Sequence, residues 1–258
     1  MKIQFEATTA CNARCTFCPR YDMTRPRGEM TDELFHKIIK ESKQFRSPEI
    51  VPFLNGEPFI FPRIWEWLDY MEKEGCRVYL FTNAEFIDVD RIIKYKNIRY
   101  VCCSINATTE ETHSKIMRGP KFDTVVKNVE DLIKKAAFRV YVSMVEVEVN
   151  QHEVESFKEK WGDNAVFGEF KNWGGGRHDK LEKTGEKIPC VSLMKSITIL
   201  WDGRVATCCL DYDGKLILGD ANTQTLPEIW RATRWLRAEH NKLNFDMIPC
   251  RDCNQNII

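Results

Sequence analysis

The chain has 258 residues, with 38 Lys and Arg against 38 Asp and Glu, so its formal net charge is zero and its pI is near 6.9. A neutral chain lacks the overall positive field that makes nucleic acid or an anionic membrane a main partner. The longest apolar runs are too short to cross a bilayer and the N-terminus has no apolar signal segment, so we expect a cytoplasmic protein without a membrane or nucleic-acid partner.

The first two thirds of the chain alternate between short β-rich runs and longer amphipathic stretches, a pattern typical of repeated βα units and a parallel sheet. We predict strands at 2–8, 49–54, 77–82, 98–105, 139–147 and 165–170, and helices at 32–45, 62–74, 88–95, 122–137 and 153–161. Thr31 is the expected N-cap of the first helix. Six units fall short of the eight in a closed barrel, so the predicted fold is α/β, a partial (β/α)6 barrel over residues 1–171.

The pattern changes at residues 172–190, which are rich first in glycine and then in charge, as in a linker. Beyond it, two β runs flank Asp202-Gly203, a favourable tight turn that predicts a β-hairpin at 196–209. A helix is predicted at 226–241. Residues 172–258 are therefore expected to form a linker and a small domain made of a hairpin and a helix.

Cys11, Cys15 and Cys18 are spaced C-x3-C-x2-C directly after the first strand, at the edge of a barrel where active sites are built. Structural zinc sites and cubane iron-sulfur clusters usually take four protein ligands. No histidine or fourth cysteine lies nearby in the sequence. Either a non-protein ligand completes the site, or the thiols are buried or form half of a zinc site completed from elsewhere.

A second group, Cys190, Cys208, Cys250 and Cys253, has the spacing C-x17-C-x41-C-x2-C and makes a complete set of four. Four thiolates suit either a structural zinc or an iron-sulfur cluster, and the spacing alone leaves both open. Cys209 is expected to point away from this set, because neighbouring strand residues face opposite sides.

With aromatic Phe17 before its last cysteine, the first loop resembles the defining motif of radical S-adenosylmethionine (radical SAM) enzymes. The resemblance implies a [4Fe-4S] cluster on Cys11, Cys15 and Cys18, with SAM bound to the open iron and its adenine against Phe17. Reductive cleavage of SAM in that family yields a 5'-deoxyadenosyl radical that abstracts hydrogen from substrate.

Two segments after the second and third strands resemble further motifs of the family. Gly56-Glu57-Pro58 is similar to its GEP element, which contacts the amino group of SAM, and Thr82-Asn83 is similar to its Thr-Asn element. An isolated Gly-Glu-Pro is otherwise typical of a turn.

The segment after the fourth strand is similar to the ribose-binding part of the family. There Ser104 and Asn106 are implied to reach the ribose hydroxyls, and Arg118 the SAM carboxylate, for which arginine has the bidentate geometry. The alternative for these residues is ordinary capping and surface contact.

The C-terminal segment resembles the twitch module, the shortened form of the SPASM extension, which implies one auxiliary [4Fe-4S] cluster on the four cysteines. The layout is most similar to radical SAM dehydrogenases of the 2-deoxy-scyllo-inosamine dehydrogenase type, in which a carbinol becomes a ketone and the auxiliary cluster is thought to accept an electron. That similarity places Arg177 where a substrate-contacting arginine is expected, although a solvated loop charge is the alternative.

The resemblance implies a radical SAM oxidoreductase that dehydrogenates a small polar metabolite, with flavodoxin or ferredoxin as electron donor. The main alternative is a SPASM/twitch maturase that oxidises or crosslinks a peptide or protein. The first predicted strand begins at the N-terminus, which leads us to favour a small molecule, because leader-dependent maturases often carry a recognition domain. A SAM-independent iron-sulfur or zinc protein is the third possibility.

Overall fold

The computed structural model describes residues 1–176 and 185–255. Its nine strands in these ranges are β1 (Lys2–Phe5), β2 (Glu49–Val51), β3 (Arg77–Thr82), β4 (Ile98–Ser104), β5 (Arg139–Glu146), β6 (Ala165–Glu169), β7 (Ser196–Ile199), β8 (Arg204–Ala206) and β9 (Ile217–Asp220). The α-helices there are α1 (Asp32–Ser42), α2 (Ile64–Lys73), α3 (Val89–Ile92), α4 (Glu110–Ile116), α5 (Phe122–Lys135), α6 (Val154–Trp161), α7 (Val191–Lys195), α8 (Leu226–Ala232) and α9 (Arg234–Asn241). None of the described helices has the length and apolarity of a membrane span.

All nine strands form one sheet in the order β6-β5-β4-β3-β2-β1-β7-β8-β9. In this order, the first seven strands, β6 through β1 to β7, run parallel. Strands β8 and β9 are antiparallel to their neighbours. In register, Lys2 of β1 lies between Glu49 of β2 and Ser196 of β7. The sheet does not close on itself, which confirms the predicted open α/β architecture with a C-terminal hairpin.

The core lies between the sheet and the helices that pack on it, from α1 to α8. Phe35 of α1 stacks on Trp67 of α2 with ring centroids 4.0 Å apart, and both rings contact Phe5 of β1 edge-on. Thr31 caps α1 as predicted, since its hydroxyl accepts a hydrogen bond from the Leu34 amide at 3.3 Å. This packing fixes the end of β1, from which the first cysteine loop starts.

The structure differs from the sequence prediction in several short elements. Helices α4 and α7 and strand β9 were not predicted, and the single helix expected at 226–241 is divided into α8 and α9. The division falls at Thr233, whose hydroxyl donates to the Ile229 carbonyl at 2.9 Å; such back-bonding disturbs a helix. The predicted hairpin turn is present, with Gly203 at a φ of 92°. Strand β7, the first strand of the hairpin, pairs with β1 in the same sheet as the strands of the βα units.

Candidate active site

A cavity of about 170 Å³ lies at the carboxyl ends of the parallel strands. Ten of the residues singled out in the sequence line it: Cys11, Cys15, Phe17, Cys18, Gly56, Glu57, Thr82, Asn83, Ser104 and Asn106. The lining also includes the apolar side chains of Phe53, Leu54, Val145 and Trp173. The fold therefore gathers four strand ends and the cysteine loop around one space, as expected for parallel βα units.

The cysteine loop is held by backbone hydrogen bonds to the end of α4. The Arg14 amide donates to the Met117 carbonyl at 2.8 Å, and the Thr16 amide donates to the Ile116 carbonyl at 2.9 Å. Beyond that turn, a Cβ placed on Gly119 would stand 2.2 Å from the Asn12 carbonyl oxygen. Helix α4, absent from the sequence prediction, is thus the support on which the loop rests.

The three thiols of the loop lie close enough together to affect one another. Burial raises the pKa of Cys11 to about 11 and that of Cys15 further. Cys18 adds to both increases, and Cys11 adds to that of Cys15. Among the residues that the structure describes, the cavity lining contains no histidine and no cysteine outside this loop. Metal binding requires thiolates, and three thiols suit a cubane whose fourth iron takes a ligand that is not protein. The donor set fits that group.

Gly56 permits a close crossing between the loop after β2 and the cysteine loop. The Glu57 amide donates to the Ala10 carbonyl at 2.8 Å, and a Cβ on Gly56 would lie 2.1 Å from the Thr8 carbonyl oxygen. No side chain fits at that distance. The glycine of the GEP-like element is therefore required by packing between two backbones.

The Glu57 carboxylate is engaged inside the protein. It accepts hydrogen bonds from the Thr82 hydroxyl at 2.6 Å, the Asn83 amide at 2.7 Å and the Phe59 amide at 3.1 Å. Burial raises its pKa to about 7, although these hydrogen bonds act in the opposite direction. The carboxylate thus fixes the end of β3, and the contact of this element with the amino group of SAM stays a prediction. Pro58 is buried but does not line the cavity.

The Thr-Asn element is tied to the cysteine loop by amides. Asn83 donates from its side chain to the Asn12 side-chain oxygen at 2.8 Å, and Asn12 donates in turn to the Glu85 carboxylate at 2.6 Å. Hydrogen bonds between these side chains link the end of β3 to the loop. A displacement of one element therefore moves the other.

The residues after β4 are placed unequally. Asn106 is buried with a φ of 62°, and its side-chain oxygen accepts from the Val145 amide at 2.8 Å. Ser104 lines the cavity and shares a hydrogen bond of 3.2 Å with Ser143. Arg118 is exposed, lies outside the lining, and donates to the Lys115 carbonyl at 3.2 Å. The structure does not bring Arg118 to the cavity, and its contact with a carboxylate stays a prediction.

Arg20 is a site residue that the sequence reasoning missed. Its guanidinium, in a residue only 5% exposed, donates to the Ala13 carbonyl at 3.0 Å and lies 3.4 Å from the Cys11 carbonyl and 3.5 Å from the Thr9 carbonyl. It also stands over the Tyr21 ring, 4.4 Å from the centroid. The available signal was an arginine two residues after the last cysteine of the loop.

The second set of cysteines surrounds a separate cavity of about 20 Å³. Cys190, Cys208, Cys250 and Cys253 all line it, while Cys209 does not. Burial raises the pKa of Cys250 to about 12, and Cys190 and Cys253 beside it add to the increase. Among the described residues no three Cys, His, Asp or Glu side chains are placed to hold a single metal ion. A cubane differs from a single ion because each thiolate binds its own iron, and four thiols around one space fit it.

One segment touches both cavities. Trp173 lines the first cavity and donates from its indole nitrogen to the Phe17 carbonyl at 2.9 Å, and Gly174 lines the second. Two consecutive residues, Trp173 and Gly174, therefore lie beside the first and the second thiol site respectively. The predicted substrate contact Arg177 lies outside the described residues.

Family models match most of the chain. The radical SAM superfamily model matches residues 5–160, and the SPASM model, described as an iron-sulfur cluster-binding domain, matches residues 190–254. Mycofactocin maturase MftC of Mycobacterium tuberculosis is 26% identical over 160 residues, which are 60% of this chain and 40% of MftC. The chain spans about half or less of the length of such curated relatives.

Solved structures share the fold at low identity. The structure of BtrN, a 2-deoxy-scyllo-inosamine dehydrogenase, in complex with AdoMet and 2-DOIA has a TM-score of 0.64 at 16% identity, covering 98% of this chain and 92% of BtrN. Streptococcus suis SuiB bound to its precursor peptide SuiA has a TM-score of 0.77 at 13% identity, covering 98% and 69%. The fold of this chain is thus shared with both BtrN and SuiB.

Proposed function

Since the chain belongs to the radical SAM superfamily and carries a SPASM iron-sulfur domain, we propose that it oxidises a small polar metabolite, such as an alcohol, by two electrons. Its cofactors are SAM, a [4Fe-4S] cluster and an auxiliary iron-sulfur cluster. When bound, they supply a 5'-deoxyadenosyl radical that takes hydrogen from a carbon and an acceptor for the second electron.

The observation that carries the proposal is the adjacency of the two thiol sites across Trp173 and Gly174. The same short segment would thus lie beside a substrate in the first cavity and beside the second site. The auxiliary set has four thiols, enough to occupy every iron of a cubane. We infer that this cluster accepts electrons and leaves no iron for substrate to ligate.

The chain's own residues would hold and orient the cofactors. Cys11, Cys15 and Cys18 supply thiolates for the first cluster, and Cys190, Cys208, Cys250 and Cys253 supply them for the second. The Glu57 carboxylate holds Thr82 and Asn83 at the cavity wall. Phe17, Phe53, Leu54 and Val145 make much of the wall apolar, which excludes water from a reactive intermediate.

The remaining assignments belong to the same proposal. Ser104 and Asn106 would contact the ribose of SAM, Arg118 its carboxylate, and Arg177 the substrate. A flavodoxin or ferredoxin would reduce the first cluster, and the site of action would be the cytoplasm. The boundary between residues 171 and 172 as a domain border also stays a prediction.

A peptide or protein maturase is the second candidate, and it is favoured by a specific observation. MftC is named a maturase, and the structure of SuiB contains a precursor peptide. The apolar lining of the first cavity, to which Phe17, Phe53 and Trp173 contribute, supports the metabolite, because small-molecule sites are concave and mostly apolar. The two candidates differ in substrate and share the cofactors.

The test uses anaerobically reconstituted enzyme with SAM and dithionite. One reaction receives pooled C-deuterated cyclitols and aminocyclitols, including 2-deoxy-scyllo-inosamine, and a parallel one receives pooled synthetic peptides. In the first reaction only, we expect deuterium in 5'-deoxyadenosine and a ketone that has lost one deuterium from carbon and one proton from the hydroxyl of its alcohol. Stimulation by peptides alone would establish the maturase, and absence of SAM cleavage in every reaction would exclude both.

A further inference from the structure

A histidine shares the second cavity with the four thiols. His240, on α9, lines that cavity and is only 1% exposed. Neither of its ring nitrogens has a hydrogen-bond partner among the residues that the structure describes. Because an imidazole in either charge state carries at least one N–H donor, a donor is buried at this cavity without an acceptor from the described chain.

The ring is held in place by packing. Phe245 contacts it edge-on, with centroids 4.8 Å apart and the planes at 80°. Buried polar groups nearly always have a partner, because leaving one unpaired is unfavourable. A group that fills the cavity beside the ring would offer it an acceptor.

A second histidine shows which part of this environment is distinctive. His113 on α4 is 0% exposed, both its nitrogens also lack a partner in the described chain, and its ring packs on Phe122 at 5.3 Å. It lines neither thiol cavity. His240 therefore differs from an ordinary buried histidine by its location among the cysteines, and His113 provides a matched control.

We propose that His240 donates an N–H hydrogen bond to a sulfur of the auxiliary cluster or of one of its thiolate ligands. This inference rests on the proposed function, since it requires the cluster. The four thiols already suffice as ligands, so the histidine acts as a positioning residue. A hydrogen bond to sulfur withdraws electron density and favours the reduced, more negative state, which raises the reduction potential of the cluster.

The experiment compares reconstituted holoenzyme of wild type, His240→Phe, His240→Gln and His113→Phe. Iron and sulfide are counted first, and the auxiliary cluster is then titrated electrochemically with detection by electron paramagnetic resonance. Exchangeable proton couplings in H₂O and D₂O report the hydrogen bond directly. Phenylalanine keeps the packing and removes the donor, whereas glutamine keeps an N–H donor.

With iron content retained, we expect a more negative auxiliary potential in His240→Phe and loss of one exchangeable proton coupling. His240→Gln should lie between this variant and wild type, and His113→Phe should match wild type. If His240→Phe loses the cluster, the potential and the exchangeable couplings of His240→Gln, compared with those of wild type, decide the question. In a His240 variant that keeps its iron, an unchanged auxiliary-cluster potential together with unchanged exchangeable couplings overturns the hydrogen bond from His240. That result leaves the proposed function standing. A wild-type protein with zinc, or with no auxiliary cluster, overturns the proposed function as well.

Discussion

Gly56→Ala tests how closely the GEP-like element must approach the cysteine loop. The added Cβ would lie 2.1 Å from the Thr8 carbonyl oxygen and 2.7 Å from the Ala10 carbonyl oxygen. Because Cβ contacts below 3.0 Å are essentially never seen, one backbone must move by almost 1 Å. Overpacking of this kind costs about 1–3 kcal/mol of stability. A shift of about 1 Å at a reacting centre can lower the rate about 100-fold.

The assay is SAM cleavage by reconstituted enzyme, with iron content and urea unfolding measured on the same preparation. We expect Gly56→Ala to keep the auxiliary cluster and to lose about 100-fold in 5'-deoxyadenosine formation. Gly168→Ala is the matched control, because its nearest neighbour to a new Cβ is the Met144 carbonyl oxygen at 4.0 Å. Wild-type cleavage and stability in Gly56→Ala would refute the required close crossing.

Three further changes probe other parts of the molecule. Arg20→Met removes the buried donors to the loop carbonyls. We expect the free energy of unfolding to fall by about 1–3 kcal/mol and the first site to lose iron. Iron per chain measures this loss, and an unchanged iron content would contradict the role of Arg20. Burial lowers the pKa of His113 below its ordinary value of 6.5, so its contribution to stability is present above that value and is lost as pH falls. Between pH 7.5 and 5.5, the free energy of unfolding measured with urea should therefore fall less in His113→Phe than in wild type. Equal decreases in the two proteins would exclude protonation of His113 as a cause of the pH dependence. Cys190→Ala should lower iron by up to about four atoms per chain while SAM cleavage persists; full iron retention would remove Cys190 from the ligand set.

The features predictable from sequence are those encoded within a few residues. The cysteine spacing, the alternating βα pattern and the Thr31 cap depend on local order, and the structure has the corresponding loop, strands and N-cap. Helix α4 was missed because it is short and mostly polar, with no long apolar stripe. Its signal was Thr109, whose hydroxyl accepts from the Thr112 amide at 3.3 Å.

The features that could not be predicted depend on contacts between distant segments. Nothing local to Glu57 indicates that its carboxylate is bound by the end of β3. The hydrogen bond from Trp173 to the Phe17 carbonyl joins residues 156 positions apart. The isolation of His240 beside the thiols likewise appears only when α9 and the cysteines are brought together. In each case the partner is set by tertiary packing.

The most direct test of two distinct cluster sites is electron paramagnetic resonance of the reduced, reconstituted enzyme with and without SAM. The three-thiol site should leave one iron open to SAM, and the four-thiol site should not. We therefore predict two [4Fe-4S] signals, of which only one shifts when SAM is added and only the other is lost in Cys190→Ala. A single cluster signal, or two signals that both ignore SAM, would contradict the assignment of the two thiol sets.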